Sequence, residues 1–149
     1  MCLGAGIAAE KDEAVTTSLN QTLLNGEVLV LRDQRTEMSR GLLAGKNIKA
    51  VYHDGVGYYF SGEQQSVVRA DAQTGTWTGI EEDSSRKDPV TQDVFSLWVD
   101  HGVRPQGGTY GYAVMPGVDS RRFEALVDDL PYQILSNTPS IQAVFFYRI

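Results

Sequence analysis

The residues best suited to chemistry are two histidines, His53 in H-D-G and His101 in D-H-G, flanked by Asp54 and Asp100 and followed closely by Gly55 and Gly102. An aspartate beside an imidazole can hold the ring for general-base work, with a nearby tyrosine as the acid. Side chains of adjacent turn residues point apart, however, and no serine sits in a nucleophile-elbow setting. The competing reading is that these histidines and aspartates bond to backbone groups at strand ends. Metal chemistry has less support. The histidines are far apart, Cys2 is the single cysteine, and Asp71-x-Gln73-x-Gly75 lacks the acidic density of a calcium loop. G-A-G at Gly4 and Gly6 and G-V-G at Gly55 and Gly57 lack the strand-to-helix setting of a phosphate cradle. No catalytic, substrate-binding or metal-ligating residue is therefore assigned, and no cofactor is expected.

Aromatic residues offer a different chemistry. Tyr52, Tyr58, Tyr59, Trp77, Trp98, Tyr110 and Tyr112 are the side chains from which a sugar-stacking platform would be built. Alternating positions on strands suit core and cross-strand contacts equally.

The elements that must position these groups are strands. Residues 93–116 hold two apolar runs, 94–99 and 109–115, separated by a connection rich in glycine and proline. Phe95, Leu97 and Val99 alternate with Val94, Ser96 and Trp98, and Tyr110, Tyr112 and Val114 alternate with Thr109, Gly111, Ala113 and Met115. This predicts an antiparallel pair packed on a second sheet, with Asp100 and His101 at the entrance of the loop. Earlier, residues 1–7 read as a strand interrupted by glycine. Residues 14–22 and 27–31 read as a hairpin turned by Asn25-Gly26. Residues 33–47 read as a polar, basic loop. Strands follow at 48–52, 56–60, 65–70 and 76–80, the last carrying Trp77, with turns at 53–55 and 71–75 and a surface loop at 81–89. Strands recurring every eight to fourteen residues predict a mainly β, antiparallel sandwich. Beyond Pro116 the texture changes. Residues 119–128 predict one short helix capped by Asp119, with Phe123, Leu126 and Val127 at helical spacing, and strands follow at 132–135 and 141–149.

Composition sets outer bounds. The 149 residues suffice for one domain or for one and the start of another, with 42% hydrophobic and 21% charged residues. Net charge of −6 and a pI near 4.8 argue against the whole surface attracting nucleic acid or another polyanion. The segment 32–49 is a local exception, with Arg32, Arg35, Arg40, Lys46 and Lys49 against Asp33 and Glu37. No run approaches the roughly 20 apolar residues a membrane-spanning helix needs. Residues 1–7 lack a basic leader, so no signal peptide is expected within the chain. The apolar, uncapped start and the closing F-F-Y-R-I suggest a piece of something longer.

Five segments, in order, resemble polysaccharide lyase family 8: V-Y-H-D-G-V-G-Y-Y-F (51–60), Q-T-G-T-W (73–77), V-F-S-L-W-V-D-H-G-V-R-P (94–105), Y-G-Y-A-V-M-P-G (110–117) and I-L-S-N-T-P-S-I-Q-A-V (134–144). C-L-G-A-G-I and T-T-S-L-N-Q-T near the start are similar too, and F-F-Y-R-I departs. The resemblance implies an antiparallel supersandwich of galactose-mutarotase-like type over residues 1–117, followed at 118–149 by the beginning of a small C-terminal β domain. It implies β-elimination of an acidic polysaccharide of hyaluronan, chondroitin or xanthan type by the parent enzyme, and a secreted or periplasmic setting. In such lyases an asparagine, a histidine, a tyrosine and arginines of a helical α/α toroid do the chemistry, supported by a glutamate from the early supersandwich. None of these matches a position here, so the chain is expected to scaffold a helical catalytic domain outside it and to be inactive alone. The alternatives are a freestanding carbohydrate-binding module and, more remotely, a homo-oligomeric structural protein.

Overall fold

A computed structural model describes residues 1–32, 40–83 and 85–147 in full and residues 35–38 by their backbone. Twelve strands and one α-helix are laid out among the described residues in the order β1 (Cys2–Ile7), β2 (Ala14–Leu23), β3 (Val28–Leu31), β4 (Arg35–Met38), β5 (Gly41–Gly45), β6 (Ala50–His53), β7 (Val56–Phe60), β8 (Ser66–Gly75), β9 (Val90–Val103), β10 (Gly108–Pro116), α1 (Ser120–Leu126), β11 (Tyr132–Asn137) and β12 (Gln142–Phe146). They form a six-stranded sheet in the order β1-β10-β7-β6-β3-β4, a four-stranded sheet β2-β9-β8-β5 and a hairpin β11-β12, with every pairing antiparallel.

The burial pattern explains the stacking. On β3 all four residues of V-L-V-L are buried, because its two faces meet two different cores. Val28 and Val30 face the four-stranded sheet and join Ile48, Val51, Tyr58, Val68, Phe95, Leu97 and Val99. Leu29 and Leu31 face the other way and join Ala50, Tyr59, Ala113, Val118, Phe123 and Tyr132, so α1 and β11 cover the outer face of the six-stranded sheet. The four-stranded sheet is one-sided: Phe95, Leu97 and Val99 are buried while Ser96 and Trp98 stay partly accessible.

Several expectations change. The runs at 94–99 and 109–115 are not a pair: β9 lies in the four-stranded sheet and β10 in the six-stranded one, and residues 104–107 carry the chain between them. Residues 14–22 and 27–31 do not form a hairpin either. β2 pairs with β9 and β3 with β4 and β6, so Asn25-Gly26, with Gly26 at φ +74°, turns the chain from one sheet to the other. His101 lies on β9 rather than at a loop entrance.

The expected turn at 71–75 is strand, because β8 stays paired with β9 as far as Gly75↔Val90, and Trp77 begins a single 3-10 turn, Trp77–Gly79, in place of a strand. The segment 33–47, read as a loop, contains β4 and β5. Both are sheet edges, where polar and glycine residues are tolerated. Helix α1 has its predicted cap, the Asp119 carboxylate accepting from Arg122 N, and stops at Leu126 instead of 128. β11 runs two residues past the expected 135, and β12 spans Gln142–Phe146 within the expected 141–149.

Candidate functional site

The two histidines are placed by opposite sheets. His53 ends β6 in the six-stranded sheet and is 2% exposed. Its ring stacks on Phe95 at 4.3 Å between centres, and its Nε2 accepts the Asn25 backbone N–H at 3.1 Å. Asp54, at φ +46° in the turn, accepts from the Asn25 side chain at 3.2 Å instead of orienting the imidazole. Asn25 thus separates the two members of the apparent pair.

Burial lowers the His53 pKa below its ordinary 6.5, against an opposing pull from Asp54. In the unfolded chain the ring titrates near its ordinary value, so on acidification the unfolded state takes up the proton first. The stability owed to neutral His53 is complete above about pH 6.5 and is lost as pH falls toward the folded-state pKa. The urea midpoint is expected to drop as pH falls below about 6.5, and His53→Gln to flatten the drop. His101 is shifted in the same direction by burial, so some slope persists in that variant. A midpoint indifferent to pH over that window would contradict this account.

His101 is held from β2: its Nε2 lies 2.8 Å from Thr17 Oγ1. The ring sits 6.2 Å from that of Tyr110, beside an open cavity of about 390 Å³ whose lining cation is Lys46. Asp100 accepts from the Gly102 N–H at 2.8 Å, a backbone role of the kind the sequence suggests for these aspartates.

The buried phenols are occupied as well. Tyr58 accepts from Asn20 Nδ2 at 2.5 Å, and Tyr59 donates to the Phe123 carbonyl at 3.1 Å. Burial raises the pKa of Tyr58 and pushes Tyr59 and Tyr112 up to about 12, which keeps all three protonated across the working range of an enzyme. Among the described residues no cluster of His, Cys, Asp and Glu side chains is arranged to hold a metal.

Two arginines of the basic segment are engaged within the fold. Arg40 makes a two-point pair with Asp93, and Arg32 donates to the Ala44 carbonyl at 3.1 Å. The side chains of Asp33, Arg35 and Glu37 lie outside the described residues. Nor do the aromatics share a face: Tyr58 points between the sheets, Tyr59 points toward α1, Trp77 is exposed, and Trp98 lies half-buried on the outer side of the four-stranded sheet.

Sequence reasoning passed over Gln64. It is buried, and its side-chain amide bonds both backbone groups of Gly111, Nε2 to the carbonyl and Oε1 from the N–H, each at 3.1 Å. A lone glutamine after a turn carries no signal for this. The alternation that places Trp98 outward was legible, but the polar residues that β2 and β8 bring beside it were not.

The sequence model of the polysaccharide lyase family 8 super-sandwich domain matches residues 1–127. The chain belongs to polysaccharide lyase family 8. It is 34% identical over 152 residues to chondroitinase-AC of Pedobacter heparinus, covering all of this chain and 21% of that enzyme. It is 30% identical over 156 residues to xanthan lyase of a Bacillus species, covering 97% of this chain and 17% of that one. A solved chondroitinase AC lyase, in a study of its oligosaccharide complexes, superposes with a TM-score of 0.85 at 35% identity, covering 97% of this chain and 21% of that one. This family 8 chain therefore spans about a fifth of the length of these relatives. Its fold is the family's: antiparallel sheets with one short helix. The motif V-Y-H-D-G-V-G-Y-Y-F is the β6–β7 hairpin, and D-H-G closes the long strand β9. Among the described residues no helix is long and apolar enough to cross a membrane.

Proposed function

We propose that this chain is a non-catalytic β portion of a polysaccharide lyase that cleaves uronic-acid-containing polysaccharide by β-elimination, and that it scaffolds a helical catalytic domain. The observation that carries this reading is the employment of the histidines: His53 is walled in by Phe95 and Asn25, and His101 is bonded to Thr17. Elimination needs a base, an acid and cations converging on one sugar. Here the imidazole beside a cavity has its nearest phenol ring centre at 6.2 Å and shares the cavity lining with one lysine and no arginine among the described residues.

In the same reading, residues 1–117 form the later part of the supersandwich and residues 118–149 open a smaller C-terminal β domain, within an exported parent. The partners are the acidic polysaccharide and the helical domain. The match to the super-sandwich domain and the one-fifth coverage of the relatives support it.

The test is ultraviolet absorbance from unsaturated uronate. The purified chain is expected to give no rise with chondroitin, hyaluronan or xanthan, while the parent lyase containing it does. Elimination product from the pure chain would overturn the proposal.

A further inference from the structure

The outer face of the four-stranded sheet carries an open depression of about 350 Å³. Its floor is β9. Trp98 stands opposite Ser18 of β2 and Val67 of β8, and two residues along, Ser96 stands opposite Gln21 and Arg69. Gln73 reaches Ser96 Oγ from β8 at 3.3 Å. Arg69 donates through Nε to both oxygens of Asp71, at 2.8 and 3.0 Å, which leaves its terminal nitrogens as donors.

Packing does not require this composition. A solvated sheet face is served by any polar residues, yet here one large aromatic ring lies among three amides, three hydroxyls and a guanidinium. A pyranose has an apolar C–H face that stacks on an indole and a rim of hydroxyls that need donors and acceptors together. The amides of Gln21 and Gln73 supply both kinds of group, and Arg69, held by Asp71, adds donors.

We propose that this depression is a glycan-binding surface, separate from any elimination centre, which holds one pyranose of the polysaccharide against Trp98. The inference rests on the reading that the parent acts on polysaccharide, and it adds a site to that reading. Because Asp71 balances Arg69, recognition comes from stacking and hydrogen bonds, and binding changes little with salt. Contact of a polyanion with the basic segment 32–49 would weaken steeply as salt rises.

The chain has two tryptophans, so Trp77→Phe leaves Trp98 as the single indole reporter. Titration of that variant with defined oligosaccharides of chondroitin, hyaluronan and xanthan is expected to shift Trp98 emission saturably with at least one of them. Adding Gln73→Ala or Arg69→Ala is expected to weaken binding about tenfold, the loss of one good hydrogen bond. Both are partly exposed side chains, and an unchanged melting temperature separates a lost contact from a lost fold. No saturable shift with any of the three glycans would overturn the proposal. So would affinity left unchanged from the Trp77→Phe chain by both Gln73→Ala and Arg69→Ala, or affinity that collapses with salt. A flat titration alongside an inert chain and an active parent would remove this surface and leave the scaffold reading standing. Saturable binding by a chain that itself released unsaturated uronate would do the reverse.

Discussion

Phe95→Ala is expected to destabilise the chain by about 3–5 kcal/mol, the usual cost of emptying a fully buried aromatic site. Phe95 is 0% exposed at the centre of β9, and its ring lies 4.3 Å from that of His53 and 6.4 Å from that of Tyr58, both on the opposing sheet. It is where the two sheets touch through large side chains, so the cavity would open between layers that hydrogen bonds hold each in its own plane and that cannot easily collapse together. Against a total stability of about 5–15 kcal/mol for an ordinary domain, such a loss moves the urea midpoint by roughly 2 M. A second readout is specific to the contact. Without the ring, His53 is better hydrated, and its pKa should rise back toward the ordinary value, which NMR titration of the ring protons would follow. A loss below about 1 kcal/mol would mean that Phe95 is not the contact between the sheets.

Gln64→Leu is expected to cost about 2–4 kcal/mol although leucine is the more apolar side chain. The β7–β10 ladder ends at Phe60↔Tyr112, and Ser61 N still reaches the Gly111 carbonyl at 2.9 Å. Beyond that point the Gln64 amide stands in for a peptide unit, bonding both Gly111 groups as a further strand residue would. Leucine fills the volume and leaves the buried Gly111 N–H with no acceptor from this position, while the carbonyl keeps Ser61. Hydrogen exchange at Gly111 should quicken in the variant. Gln64→Glu discriminates further. It offers an acceptor for the N–H but no donor for the carbonyl at neutral pH, and it buries a charge, so it should be destabilised above its own pKa and recover on acidification. Wild-type stability in Gln64→Leu would show that the side-chain pairing contributes nothing.

Much of the local structure was readable residue by residue. The alternation of Phe95, Leu97 and Val99, the run Val56–Phe60, the His53-Asp54-Gly55 turn and the Asp119 cap all lie where spacing and turn chemistry put them. The strand-end role of Asp100 was visible as well, since a short carboxylate beside a glycine finds a backbone N–H within reach, whereas Asp54 takes the Asn25 side chain instead. Trp77 was misassigned because aromatic content favours a strand while the backbone there closes a 3-10 turn.

Spacing within the chain encodes which face of each strand is buried, because side chains alternate every residue and burial selects one set. It names no partner. Two apolar strands joined by a glycine-rich connection look alike whether they lie side by side or cross between layers, and this chain crosses at both Asn25-Gly26 and residues 104–107. The partnership of β2 with β9, the enclosure of His53 by Phe95, the Gln64 staple on Gly111 and the polar rim around Trp98 all join residues distant along the chain. Such contacts follow from how the layers stack and in what register, which is a property of the assembled sheets and of no single segment.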